Sequence, residues 1–203
     1  MHLLLTLVLL QVPTQDTIGA LMTNAGVVRA AGKVDSVFVA RLSDTATVDA
    51  GDWTAYLMAR LGVKPIPEMG LRVFIDSTHL RVRGRVSDIP AEARTALVSL
   101  LAFLDPETPF EAAVTLDRAA PNAIRFHLES AWIAGFTVPD AILGQGLRVV
   151  GEKYPVLANG GRDLFVEIPA NAIVRFTSAG VRLVGAPRPT PTPPTRRSSA
   201  RPR

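Results

Sequence analysis

The imidazoles that could act as bases near neutral pH in the body of this chain are His79 and His127; the third histidine, His2, precedes an apolar run. No pair of histidines stands at H-E-x-x-H or another chelating spacing, and no serine sits in a G-x-S-x-G elbow. His79 falls in the turn of a hairpin and His127 on the polar side of a strand, positions that read as solvated surface. A Ser-His-Asp triad assembled from distant segments would have to use one of these two rings. Glycoside chemistry by paired carboxylates needs two acids converging in a cleft. Glu111, Asp117, Glu129 and Glu167 all fall opposite the apolar positions of their strands, which argues against a buried acid with a raised pKa.

The remaining candidates are weaker. Gly144-Gln-Gly146 and Asn159-Gly-Gly161 match neither a dinucleotide fingerprint nor a P-loop and read as structural. Asp44, Asp49 and Asp52 lack the D-x-D-x-D-G order of a calcium loop, and helix capping accounts for two of them. The chain contains no cysteine, which excludes a disulfide framework, a thiolate metal site and a thiol nucleophile. The residues imply no cofactor and no metal.

The elements that would position these groups are short alternating strands interrupted by helical stretches. Leu71, Val73 and Ile75 alternate with Arg72, Phe74 and Asp76. After a polar turn, Leu80 and Val82 alternate with Arg81, Arg83 and Arg85. The pattern recurs over residues 110–117, with Phe110, Ala112, Val114 and Leu116 on one side. It recurs in Ile124, Phe126 and Leu128 opposite Arg125, His127 and Glu129. A closing pair covers residues 164–168 and 173–184, with Ala179-Gly180 as its turn. The stretch 173–185 echoes 71–84, which common hairpin grammar explains as well as duplication does.

Three segments read as helices. Asp49 or Asp52 caps the first, which carries Trp53, Tyr56, Leu57 and Leu61 and ends at Gly62. The second opens at Asp88-Ile-Pro and carries Leu97, Leu101 and Leu104 on its stripe, with further apolar residues around it. The third spans Pro139 to Glu152. It holds Gly144, Gly146 and Gly151, each costing about 1 kcal/mol relative to alanine, so it should be locally soft or broken. Strands with one wet face and interspersed helices predict an α+β fold: a curved antiparallel sheet of hairpins packed on two or three amphipathic helices.

The ends differ from this body. The run Leu3 to Leu10 covers about 12 Å as a helix, far short of a bilayer core, and reads as the apolar region of a signal peptide over residues 1–15. It lacks a preceding Lys or Arg and a following A-x-A site, and a buried N-terminal element is the alternative. Residues 186–203 are rich in proline, carry five arginines and no acid, and read as a disordered or polyproline-II tail. The chain's formal charge is +4, so the body between, residues 16–185, is close to neutral and nucleic acid is not an expected partner. The tail could touch an anionic membrane surface or a cell-wall polymer. The 48% apolar content rules out wholesale disorder.

The candidate surfaces are an arginine-rich face, Arg72, Arg81, Arg83, Arg85 and Arg125, and an apolar face, Val73, Ile75, Leu80, Val82, Val114, Leu116, Phe126, Leu128 and Trp132. The order of leader, Leu71-Arg-Val type hairpins, apolar helix and Ala131-Trp-Ile-Ala-Gly-Phe-Thr-Val-Pro139 resembles bacterial tubular lipid-binding (TULIP-like) proteins of the cell envelope. The closing Leu164-Phe-Val-Glu-Ile-Pro169 and Ile173 to Gly185 are similar to that group as well. The resemblance spans about Lys33 to Gly185; the body is short for the group and the basic tail lies outside it.

That resemblance implies a sheet wrapped on a helix to leave an apolar groove. Val73, Ile75, Val82, Leu97, Leu101, Leu104, Val114, Leu116, Phe126, Leu128 and Trp132 would line it. Arg81, Arg83, Arg85 and Arg125 would meet a lipid headgroup at its rim. The expectation is a periplasmic or secreted lipid-binding or lipid-transfer protein without a catalytic step, with N-terminal tethering to the membrane if the leader is retained. Two other classes stay open: a structural or scaffolding envelope protein with a closed core and a basic attachment tail, and an exported hydrolase.

Overall fold

A computed structural model describes residues 19–62, 70–76, 78–89, 94, 101–153 and 161–186. The leader, Leu97 with most of the second predicted helix, and tail residues 187–203 lie outside the described residues. Within them the fold is α+β. β1 (Ala20–Leu21), β3 (Arg72–Asp76), β4 (His79–Arg85), β5 (Pro109–Ala120), β6 (Ala123–Ile133) and β7 (Phe136–Thr137) follow one another across an antiparallel sheet, and β8 (Asp163–Glu167) also pairs with β6. β2 (Thr45–Val48), β10 (Gly180–Val184) and β9 (Ile173–Thr177) form a second antiparallel sheet. The helices are α1 (Asn24–Val34), α2 (Ala50–Arg60) and α3 (Asp140–Lys153). None of the described helices is long and apolar enough to cross a membrane.

The predicted hairpins β3–β4, β5–β6 and β9–β10 form. Two features differ from the sequence reading. β8 pairs with β6, not with the strands that follow it, so the closing residues divide between two sheets. A helix, α1, occupies a stretch where the sequence reading placed none; it buries Gly26, Ala30 and Val34 at helical spacing. Thr23 caps it by accepting from the Gly26 N–H at 3.0 Å.

At Gly26 a side chain would meet Asp52 Oδ1 at 2.5 Å, so this glycine marks the close approach of α1 to α2. Arg29 of α1 clamps the same carboxylate through two nitrogens, at 2.8 and 2.6 Å. Asp52 is therefore a buried helix-to-helix pin, and Asp49 is the residue that caps α2, accepting from the Gly51 N–H.

The main core lies between α2 and the two sheets. Trp53 of α2 meets Phe126 of β6, and Phe126 meets Phe176 of β9, with both ring pairs 6.4 Å between centroids. Val73, Leu80, Ile124, Val174, Val181 and Leu183 are buried in the same cluster. Each such side chain removed from water contributes about 1.5–3 kcal/mol.

β5 and β6 are long enough to serve a second layer. Over residues 123–128 β6 closes the core; beyond it the hairpin lines a groove together with α3. In between, Ala113 pairs with Ser130 while Val114 pairs with Leu128, which leaves Glu129 as an extra residue on β6. A bulge of this kind reverses the parity of a strand. Ala131 and Ile133 consequently share the face of Leu128 and Phe126, and Trp132 moves to the opposite, water-facing side.

α3 is an uninterrupted 14-residue helix despite its glycines. Gly144 has nothing within 4 Å of where a side chain would be, so it carries no packing load.

Candidate functional site

On the water-facing side, antiparallel pairing sets Arg72, Arg83, Glu111 and Trp132 in one row across four strands. Glu111 is shared: its carboxylate accepts from Arg81 Nη1 at 2.7 Å and from Arg83 Nε. Arg81 also reaches Asp76 at 3.2 Å. The guanidinium carbons of Arg81 and Arg83 lie 5.5 Å from the Trp132 ring centre and 4.9 Å from that of Phe74, within cation–π range. Arg85 pairs with Glu107, and Arg125 with Asp117 through two bonds. The Arg125 hydrogen bond holds the Asp117 carboxyl below the usual carboxylate range and raises the guanidinium in turn. All four arginines expected to meet a headgroup thus already face a carboxylate. Arg72 differs: it donates to the Gly19 carbonyl at 3.1 Å and has no carboxylate partner among the described residues.

Arg72, Arg83 and Arg85 line a cleft of about 580 Å³ at the end of β3, β4 and β5, together with Asp88, Glu111, Trp132 and three glycines. Gly84 is also a close approach: a side chain there would meet Leu71 Cδ2 at 2.4 Å, Asp88 Oδ2 at 3.2 Å and Phe110 at 3.3 Å.

The two histidines occupy one row with Thr115 between them. Each is tied to an acid, His127 Nδ1 to Asp163 at 2.6 Å and His79 Nε2 to Glu129 at 2.7 Å. Among the described residues, the hydroxyl within hydrogen-bond distance of either ring is Thr78 Oγ1, 3.3 Å from His79. Neither ring addresses a serine among the described residues. No cluster of three or more metal-ligating side chains occurs among the described residues.

The apolar residues separate into two groups. Val73 and Phe126 are buried in the main core, and Ile75, Val82, Val114 and Leu116 pack against it; this part of the face is closed by α2 and the second sheet. Leu104 and Leu128 are half-buried. Leu101 and Trp132 line a different feature, a groove of about 220 Å³ between α3 and the far end of the β5–β6 platform.

Its floor is Phe110, Ala112, Ala131 and Ile133, its roof Ile142, Leu143, Gly146 and Leu147 of α3, and Val86, Ile89 and Val138 close its sides. Almost all of its lining is carbon. An apolar cavity of about 150 Å³ already admits benzene.

No family model, curated protein or solved structure matches this chain.

Sequence reasoning missed the floor residues Ala131 and Ile133, because unbroken alternation from Phe126 would place them on the wet side. It also missed Arg72 as distinct from its neighbours, since pairing with Glu111 is a cross-strand fact. The α3 stripe Ile142, Leu143 and Leu147 was present as a helical spacing and could have been found there.

Proposed function

We propose that this protein binds the acyl part of an amphiphilic lipid in the groove beneath α3, as a non-catalytic lipid-binding or lipid-transfer protein of the bacterial cell envelope. The observation that carries the reading is the groove itself: an open, carbon-lined space between a helix and a sheet that the main core does not fill. Its volume suits a short length of chain. Burial of each methylene contributes about 0.8 kcal/mol, so four or five of them supply about 3–4 kcal/mol. The adjacent cleft with Arg72 offers a guanidinium not already held by a carboxylate for the polar end of such a ligand. The apolar leader supports a periplasmic or secreted location, and the resemblance to tubular lipid-binding envelope proteins points the same way.

Titration with a fluorescent fatty acid tests this. The wild-type chain should take up the probe saturably, and Ala131→Phe, which fills the groove floor, should weaken uptake at least tenfold while the far-UV circular dichroism stays unchanged. Equal uptake by both proteins would place the probe elsewhere.

A second reading, a scaffolding envelope protein, is favoured by one specific observation. The face expected to line a tube is instead closed around Trp53, Phe126 and Phe176. Absence of any uptake by the wild-type chain would select it.

A further inference from the structure

We propose that a cleft at the opposite end of the β5–β6 hairpin from the groove binds a phosphomonoester carried on a small apolar body, with Arg118 and Arg175 as the groups that hold the phosphate. The cleft has a volume of about 320 Å³ and lies between Leu116 and Arg118 of β5, Ile173, Arg175 and Phe176 of β9, and Thr78 of the β3–β4 turn. That is large enough for a small-molecule ligand. Arg118 stands opposite Ile124, on the core side of the hairpin, and donates to the carbonyls of Pro121, at 2.8 Å, and Ala172. These two bonds tie the guanidinium across the gap between the sheets and leave its other N–H groups for a ligand. Arg175 is exposed and comes from the other wall. Its cross-strand partner in β10 is Arg182, and like charges directly opposite each other repel. A bound anion relieves that repulsion.

The cleft carries an excess of positive charge. None of Arg118, Arg175 and Arg182 has a carboxylate partner among the described residues. The chain contains no acid after Glu167, so β9, β10 and the link before them supply none. Glu167 shares the face of Phe165 and Arg125, on the other side of the sheet from Arg118. The acid that does line the cleft, Asp117, is held by Arg125 through two bonds, and Asp76, beside the Thr78 turn, is held by Arg81. Two guanidiniums match the double charge and several acceptor oxygens of a phosphomonoester better than the single charge of a carboxylate. Leu116, Phe176 and Ile173, which is 45% exposed, give the organic body an apolar wall. The cleft shares no lining residue with the groove beneath α3 and does not rest on the acyl-chain reading.

Calorimetric titration of the full chain with phenyl phosphate tests this, with inorganic phosphate as the ligand that lacks an apolar body. Phenyl phosphate should bind saturably and several-fold more tightly than inorganic phosphate. Arg175→Gln, at an exposed position, should weaken it about tenfold or more while the circular dichroism stays unchanged. Arg182→Gln, outside the lining, should weaken it by a smaller factor, and Arg148→Gln, on α3, should leave it unchanged. The basic stretch 186–203 is intact in every variant, so equal binding by wild type and Arg175→Gln would assign the phosphate to that stretch and overturn the proposal. Equal losses for Arg175→Gln and Arg182→Gln would put the ligand on the open sheet face and overturn it as well, as would inorganic phosphate binding as tightly as phenyl phosphate. Dihexanoyl phosphatidic acid, titrated below its micelle concentration, identifies the source. Tighter binding than phenyl phosphate, lost in Arg175→Gln, would support the proposal with a lipid as the ligand, and weaker binding would support it with a soluble phosphomonoester.

Discussion

The Arg81 guanidinium carbon lies 5.5 Å from the centre of the Trp132 ring, on the face of the sheet opposite Phe126. Trp132 and Phe126 are an even number of residues apart in one strand, and the extra residue Glu129 is what separates their faces. The bulge therefore divides the sheet's functions, with core below Phe126 and a two-sided platform beyond it. Arg81→Met should cost about 1 kcal/mol, from the loss of the ring contact and of one partner of Glu111. Denaturant unfolding of the two proteins measures it.

Trp53 is 2% exposed, and its indole Nε1 has no acceptor among the described residues. A buried orphan donor costs its desolvation without return. Trp53→Phe should therefore cost about 1 kcal/mol or less, well short of the roughly 3–5 kcal/mol of a large aromatic truncation to alanine. A loss as large as that of Trp53→Ala in urea unfolding would mean that the indole nitrogen is satisfied.

The Asp117–Arg125 pair predicts a pH dependence. Hydrogen bonding from Arg125 lowers the folded-state pKa of Asp117, so its contribution is present above the unfolded-state value and disappears as the pH falls through the folded one. Asp117→Asn should lower the thermal midpoint near neutrality, and the gap to wild type should close as the pH drops below the usual carboxylate range. A gap that stays constant down to strong acid would show that the pair carries no linked stability.

Gly180 begins β10 with φ of 127°, and a side chain there would lie 2.3 Å from the Val48 carbonyl oxygen. Neither the backbone conformation nor the space suits an L-residue. Gly180→Ala should destabilise by about 1–3 kcal/mol, whereas Gly144→Ala, in open helical space, should be neutral or slightly stabilising. Thermal melts of the two variants provide the comparison.

The hairpins were legible because alternation is a local signal: Val73 and Ile75 against Arg72 and Phe74 state the face of a strand without reference to its partner. Pairing is not local, and nothing in residues 163–167 says that they join β6. Helix α1 was hidden by Gly26 and Gly32 and by Val27, Val28 and Val34, all poor helix formers. Gly26 is present because Asp52 packs against it, which only the folded chain reveals. Asp52 itself read as a cap, since a clamp to Arg29 leaves no trace in spacing. At the candidate site, the arginine row was legible as a face but not its neutralisation by Glu111. Of the residues expected to line a groove, Leu101 and Trp132 do line the open one, but its floor was not legible, because the shift at Glu129 moves Ala131 and Ile133 onto the apolar face.

The central claim is that the space beneath α3 holds a lipid chain. Native mass spectrometry of the full protein, purified from bacteria without detergent, tests it most directly. A population heavier than the bare chain by the mass of a lipid, absent from Ala131→Phe, is the predicted result. A single lipid-free mass for wild type, unchanged after incubation with fatty acid or phospholipid, would contradict it.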